Sequence, residues 1–235
     1  MKMKGKYGEI VRSDRTFDVI AAVLGCIIIV IVMVPLIFVA AASFSDPDLV
    51  IRGEVLLWPK GLTTKAYTMV FENKDIWRGF RNTMFYTALG TIISVTLTVL
   101  AAYPLSRKNL RGRNFIMMAV LFTMYFSGGM VPTYLLVKDL GMYNTIWAIL
   151  IPNALSTYNL IVAKTFFENS IPEELYESAR LDGCGNIPML LRIVLPLSKA
   201  ILAVLVLYYA VAIWNSYFDA LIYLKDSSLH PLQIV

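Results

Sequence analysis

The residues best suited to recognition or chemistry lie in one polar stretch of an otherwise apolar sequence. Residues 170–198 read SIPEELYESARLDGCGNIPMLLRIVLPLS. The first half carries four acidic side chains, and the second half is apolar at helical spacing. Carboxylates presented on a short helix can form charge-assisted hydrogen bonds with a partner. The stretch therefore indicates a binding element.

Groups needed for catalysis are missing from the sequence. It holds a single histidine, His230, and two cysteines, Cys26 and Cys184, which give neither a disulfide framework nor metal-ligand spacing. It contains no GxxxxGK[ST] phosphate loop and no nucleophile–base pair. We expect a protein that is not an enzyme and that holds no cofactor or metal of its own.

Residues typical of helix starts and helix ends within 170–198 predict two short helices. Ser170 and Glu173 have the spacing of a capping box, in which each side chain satisfies a backbone N–H of the other. Gly183 can adopt the left-handed conformation that ends a helix. A second helix can begin near Asn186 and close at Pro196. The prediction is a pair of helices joined at a glycine.

The first of these helices carries an apolar strip of Leu175, Tyr176 and Ala179. Such a helix could rest on the membrane surface. Its four acidic residues are balanced only by Arg180, however, so anionic lipid would repel it. We therefore favour a protein partner with a groove that receives the helix.

The composition places this stretch in a membrane protein. Of the 235 residues, 58% are hydrophobic and 16% charged, against roughly 45–50% and 25% in soluble domains. The net charge of +5 is explained by lysine and arginine in cytoplasmic loops, not by nucleic-acid binding.

Five uncharged runs are long enough to cross a bilayer, which takes about 20 helical residues. The first is too long for the apolar region of a signal peptide, so we expect it to be retained. They cover residues 19–45, 82–106, 114–137, 140–163 and 200–218.

Basic residues in the short loops predict the orientation. They cluster before the first run and between the second and third, so residues 1–17 are expected to be a cytoplasmic N-terminus and 18–235 one transmembrane domain. Residues 170–198 then face the cytoplasm. Five spans leave the end of the chain outside, and we expect a sixth span beyond it. The basic residues are Lys2, Lys4, Lys6, Arg12, Arg15, Arg107, Lys108, Arg111 and Arg113.

Polar residues inside spans tend to face a cavity or the bundle interior. They could line a translocation path, since aromatic rings stack on sugars and amides bind hydroxyls, or they could join helices by hydrogen bonds. For any single residue the second alternative is favoured; Trp214, Asn215 and Asp219 are the strongest path candidates. The whole set is Asn82, Tyr86, Tyr125, Ser127, Asn153, Tyr158, Asn159, Trp214, Asn215, Tyr217 and Asp219.

The third run is interrupted by FSGGMVP at residues 126–132. Gly128, Gly129 and Pro132 free backbone groups that need other partners. The interruption could be a gate hinge or a packing kink between close helices, and the sequence does not favour either.

The polar stretch resembles the "EAA" loop of binding-protein-dependent ABC importer permeases. That pattern is Glu-Ala-Ala, three residues, Gly, nine residues, then Ile-x-Leu-Pro. The fuller form, with RIVLPLSK, is similar to the carbohydrate-uptake branch that includes maltose-type permeases. This chain departs from it at Ala200, where the family usually has proline. The matching positions are Glu177, Ser178, Ala179, Asp182, Gly183, Ile193, Leu195 and Pro196.

Four further stretches resemble permeases of oligosaccharides associated with complex-polysaccharide uptake. They read ASFSDPDLVIRGEVLLWPKGLT, AAYPLSRKNLRGRNF, FSGGMVPTYLLVKDLGMYNTIWAIL and WNSYFDALIYL. The resemblance implies an all-α, polytopic membrane bundle with the type I ABC importer permease fold. It also implies half of a sugar-translocating pore in the cell membrane.

The resemblance implies the partners as well. They are cytoplasmic ATPase subunits that bind ATP and magnesium, a second paralogous permease, an extracytoplasmic solute-binding protein and membrane lipid. The eight matching residues would couple the chain to the ATPase. Glu177 would pair with a basic group or N–H in the ATPase groove, Ala179 would allow close approach and Gly183 would make the bend.

Three other functions stay open on sequence grounds. A permease of the same superfamily could carry amino acids or phosphonates. An ion-driven carrier would need charged residues in mid-span, and Asp219 lies near the end of one. A membrane scaffold could use the polar loop only to recruit a cytosolic protein.

Overall fold

A computed structural model describes the backbone of residues 4–235 and the side chains from residue 15 onward. The described chain is helical and contains no β-strand. Four of the basic residues behind the predicted orientation, Lys2, Lys4, Lys6 and Arg12, lie outside the described side chains. The chain forms two compact units that divide between Asn73 and Lys74.

The first unit is dominated by one long helix, α1 (Lys4–Ser43). Two short helices follow, α2 (Pro47–Ile51) and α3 (Lys65–Glu72). The Asp46 carboxylate accepts a hydrogen bond from the Asp48 N–H at 2.9 Å and so caps α2. The rings of Phe44 and Tyr67 lie 5.2 Å apart and hold α3 against the end of α1.

The second unit contains the remaining helices. A π-helical turn (Leu190–Val194) lies between α10 and α11, and a 3-10 turn (Ser227–Leu229) follows α13. The α-helices are α4 (Lys74–Ser106), α5 (Arg113–Tyr125), α6 (Met130–Asp139), α7 (Trp147–Leu150), α8 (Thr157–Ser170), α9 (Glu173–Leu181), α10 (Asn186–Met189), α11 (Leu195–Leu197), α12 (Lys199–Trp214) and α13 (Tyr217–Tyr223).

The centre of the second unit is α4, which packs against α8 and α12. Gly90 makes a close approach possible, because a Cβ there would lie 2.7 Å from Ile213 Cδ1 and 2.8 Å from Leu150 Cδ2. Toward its C-terminal end α4 contributes Val99, Ala102, Tyr103 and Leu105 to the largest buried cluster. The same cluster reaches α8, α9 and α12, so one core connects α4, α8 and α12 with the polar stretch.

Within the described part of the chain, two helices are long and apolar enough to cross a membrane, 15–43 within α1 and the whole of α4. The number of possible membrane spans rises to four if each of two bent helix pairs counts as one span. The pair of α5 and α6 bends by 112°, and the helical segment 186–197 meets α12 at 85°. The predicted break at 126–132 is confirmed, since α5 ends at Tyr125 and α6 begins at Met130.

The fourth predicted span, residues 140–163, is wrong as a continuous helix. Gly141 and Asn144 have positive φ angles of 70° and 58°, which stop a right-handed helix. The Asn144 side chain then accepts the N–H groups of Lys225 and Asp226 at 2.8 and 2.9 Å. Within this run only the short helix α7 forms before Thr157, where α8 begins. Helix α8 is 14 residues long.

Candidate functional site

The N-terminal end of α9 is built differently from the predicted capping box. Helix α8 ends at Ser170 and the N-cap of α9 is Pro172, with no side-chain hydrogen bond at the cap. The capping-box prediction is therefore wrong. Glu173 instead forms an ion pair with Arg107, and Glu173 and Glu174 place negative charge at the positive end of the helix dipole.

The C-terminal end of α9 confirms the predicted role of Gly183, whose φ is +74°. The Gly183 N–H donates to the Arg180 carbonyl at 3.0 Å, and the Cys184 N–H donates to the Ala179 carbonyl at 2.8 Å. This pair of bonds is a Schellman motif, which satisfies two carbonyls that the helix end leaves free. The turn sets the direction in which the chain enters α10.

The second predicted helix begins where expected, at Asn186, and it ends one residue after the predicted Pro196. It continues through the π-helical turn to Leu197, and Ser198 then forms the corner with α12. Ser198 is fully buried. The segment is therefore a nearly unbroken helical connection from the glycine turn to the corner with α12.

The apolar strip of α9 faces the chain's own core. Tyr176 is 3% exposed and Ala179 7% exposed, and both belong to the cluster that contains Tyr103 of α4 and Leu205 of α12. The expectation that these two residues meet an external partner is wrong, because the bundle already covers them. Leu175 remains exposed.

A different set of side chains forms the outer face of α9 and α10. Leu181 is 90% exposed and Ile187 is 72% exposed. The exposed Glu177 precedes Leu181 by about one helical turn, and the exposed Asp182 follows it. Of the motif positions, Ile193 and Leu195 are half-buried. The exposed motif positions are Glu177, Ser178, Asp182, Gly183 and Pro196.

Arg107, in the loop after α4, contacts the inner face of α9. Its Nη2 lies 3.2 Å from Glu173 Oε1, and its Cζ lies 3.3 Å from the centroid of the Tyr176 ring. Burial raises the pKa of the Tyr176 phenol, and Arg107 partly opposes that rise. The phenol is therefore neutral at physiological pH, with its ring face toward the guanidinium.

Two candidate path residues hold the C-terminal segment instead. The Asn82 amide donates to the Ser228 and His230 carbonyls at 2.8 and 3.1 Å. The Tyr86 hydroxyl donates to the Leu229 carbonyl at 2.9 Å. Both side chains are buried, which favours the alternative that they join segments.

Asn153 and Asp219 meet between two cavities. The Asn153 amide donates to Asp219 Oδ2 at 3.0 Å. The pair lines one cavity of about 390 Å³ with Ser156 and Asn159, and another of about 510 Å³ with Ser127. Among the path candidates, these two line both cavities.

The remaining path candidates lie apart. Tyr158 is 54% exposed and packs near the Tyr208 ring. The Trp214 ring contacts Phe80 edge-on, and the Trp214 carbonyl accepts a hydrogen bond from Gln233. Asn215 caps α12 by donating to the Val211 carbonyl at 2.8 Å. Tyr125, Ser127 and Tyr217 are exposed and Asn159 is buried.

The sequence and the fold of this chain match those of known proteins. Residues 94–227, more than half of the chain, match the family described as "Binding-protein-dependent transport system inner membrane component". The chain belongs to this family. It is a multi-pass permease of an ABC importer and not an enzyme.

Two relatives come from Bacillus subtilis strain 168. The permease is 41% identical to Protein LplC over 224 residues, which is 95% of this chain and 76% of LplC. It is also 41% identical over 223 residues to the polygalacturonan/rhamnogalacturonan transport system permease protein YtcP, covering 95% of this chain and 78% of YtcP.

A solved structure has the same fold. It is a bacterial ABC transporter involved in the import of the acidic polysaccharide alginate, with a TM-score of 0.89 and 36% identity. The similarity covers 95% of the permease and 79% of that chain. Membership implies an ATPase and a substrate-binding protein as partners.

Sequence reasoning missed two polar residues that connect the permease's helices. One is Arg107, which the sequence marks only as a loop cation. The other is Tyr209, whose hydroxyl lies 2.7 Å from Thr98 Oγ1 and accepts the Ser156 N–H at 3.1 Å. A buried tyrosine in an apolar run carries no local signal of such contacts.

Proposed function

We propose that the permease forms part of the pore of an ATP-driven importer for oligosaccharides. YtcP is named for the transport of polygalacturonan and rhamnogalacturonan, and the solved structure is of a transporter involved in alginate import; both support a saccharide substrate. The pore would be completed by a second, paralogous permease. An extracytoplasmic binding protein would deliver the sugar, and the N-terminus would lie in the cytoplasm.

The second part of the proposal is that α9 and α10 are the coupling element. The observation that carries it is the two-sided build of α9, with Tyr176 and Ala179 in the core shared by α4 and α12, and Leu181 exposed. The outer face would sit in a groove of the ATPase. Closure of the ATPase around ATP and magnesium would then move α9, and the core would pass the displacement to the spans.

In this proposal the motif residues divide their tasks by position. Glu177 and Asp182, both exposed, would pair with basic groups or N–H groups of the ATPase. Ser178 would lie at the contact, while Ala179 would permit close packing within the permease. Ile193, Leu195 and Pro196 would form the helical connection to α12.

Asn153 and Asp219 are the best-supported path residues in this proposal. Both line the cavities of about 390 and 510 Å³. An amide beside a carboxylate can donate hydrogen bonds to sugar hydroxyls and accept hydrogen bonds from them. Tyr158, Trp214 and Asn215 would contribute from other positions.

The coupling proposal predicts the result of Gly183→Pro. Proline fixes φ near −65° and removes the N–H that bonds to Arg180, so the turn at φ +74° cannot form. Strain of about 1–3 kcal/mol should reduce ATPase recovery with the tagged permease about fivefold or more. Gly185→Pro is the matched control, because Gly185 already has φ −76°.

The measurement is purification in mild detergent followed by mass spectrometry. We expect an ATPase and a second permease with the native chain and with Gly185→Pro. Equal recovery of the ATPase with Gly183→Pro would contradict the coupling role. Uptake of labelled oligogalacturonides, raffinose and amino acids by cells with and without the permease would test the substrate class.

A further inference from the structure

A buried arginine joins the end of α4 to the start of α9. Arg107 follows the last residue of α4, and its N–H donates to the Pro104 carbonyl at 3.1 Å. Its side chain is 8% exposed. Arginine is seldom buried to this extent unless it is paired. The burial of Arg107 is therefore explained by the groups that its guanidinium contacts.

The guanidinium of Arg107 makes two different contacts with α9. Nη2 lies 3.2 Å from Glu173 Oε1, and Cζ lies 3.3 Å from the Tyr176 ring centroid. Glu173 and Tyr176 are three residues apart and therefore share a helix face. A planar cation that pairs with one residue and stacks on the other fixes both the position and the rotation of α9.

The other charges nearby form a separate group. A cavity of about 410 Å³ is lined by Arg107, Glu173, Lys108, Arg113 and Glu168 together with uncharged polar and apolar residues. Glu168 is paired with Lys164 at 2.7 Å and Arg113 at 3.4 Å. This group joins α8 to α5, whereas the Arg107 group joins α9 to α4.

We propose that Arg107 is a positioning residue that locks α9 to the end of α4, so that a displacement of α9 moves α4 as a rigid body. The inference rests on the coupling role proposed above for α9. Tyr176 also packs in one cluster with Tyr103 and Leu105 of α4. Because α4 packs against α8 and α12, movement at its end reaches the rest of the second unit.

The test measures the distance between α9 and α4 in the assembled, purified transporter. Spin labels replace two exposed residues, Glu174 on α9 and Ile92 on α4, after Cys26→Ser and Cys184→Ser. Distance distributions are recorded without nucleotide and after trapping with ADP and vanadate. The native pair is expected to give one narrow distribution in each state.

Arg107→Ala is expected to broaden that distribution and to reduce the stimulation of ATP hydrolysis by the binding protein about fivefold or more. Arg113→Ala is the matched control, since it removes a cation from the same cavity that pairs with Glu168, and it should leave both readouts unchanged. The double variant Arg107→Glu with Glu173→Arg should narrow the distribution relative to either single change. If Arg107→Ala does not fold, Arg107→Lys replaces it in both measurements. Lysine keeps the charge but loses the planar stack on the Tyr176 ring.

Two results would overturn the inference. One is a narrow distribution and full stimulation in Arg107→Ala, or in Arg107→Lys if only that variant can be purified. The other is an equal broadening in Arg113→Ala. Absence of the ATPase from the native complex would instead overturn the coupling role, and this inference with it.

Discussion

Leu181→Asp is expected to abolish recovery of the ATPase with the permease. Leu181 is 90% exposed at the end of α9, where an apolar side chain can act as the anchor of an interface. The basic or N–H groups proposed for the ATPase groove would already pair with Glu177 and Asp182. An aspartate buried at position 181 would therefore be an unpaired charge, which costs about 3–5 kcal/mol. The affinity for the ATPase should therefore fall by about 100-fold or more.

The matched control for this change is Leu62→Asp. Leu62 is 78% exposed and lies between α2 and α3, in the loop predicted to be external. Its replacement should leave recovery of the ATPase unchanged. The interface assignment fails if Leu181→Asp retains the ATPase at the native ratio in mild-detergent purification.

Phe167→Ala is expected to destabilise the permease strongly. Phe167 is 1% exposed, and it belongs to the cluster that also holds Ile171 and Tyr176. Replacing a buried phenylalanine by alanine costs about 3–5 kcal/mol, because the cavity does not close fully. The midpoint of thermal unfolding should fall by roughly 6–20 °C.

Phe166→Ala is the comparison for that measurement, because Phe166 is adjacent and only half-buried. It should lower the midpoint by less than half as much. Thermal unfolding of both variants can be followed in one detergent by tryptophan fluorescence. Equal shifts for the two variants would contradict the view that the core beneath α9 depends on Phe167.

Features set by local chemistry were predictable from the sequence. The glycine turn at Gly183 and the start of α10 at Asn186 follow from backbone preferences of residues next to each other. The helices α1 and α4 follow from long uncharged runs. The motif at 177–196 identified the family because its spacing is long and specific.

Features set by distant contacts were not predictable. Glu173 has capping-box spacing with Ser170, yet it pairs with Arg107, which lies 66 residues earlier in the chain. The apolar strip on α9 shows that one face is covered, but the pattern is the same whether the cover is a partner or the chain's own core. Only packing shows that Tyr176 and Ala179 turn inward.

The error in the fourth span has a related cause. Hydrophobic content measures compatibility with lipid, and it does not report where the backbone turns. Gly141 and Asn144 adopt left-handed conformations, and hydrogen bonds with the neighbouring segment 223–226 hold Asn144 in place. The apolar run therefore folds as a loop, followed by the short helix α7 and then by helix α8.

The contact between the outer face of α9–α10 and the ATPase can be tested directly in native membranes. A photo-crosslinking amino acid in place of Ile187, which is 72% exposed, should form an adduct with the ATPase subunit. The same amino acid in place of Leu62 should form none. An adduct at position 62 but not at 187, in membranes where the ATPase copurifies with the permease, would contradict the account.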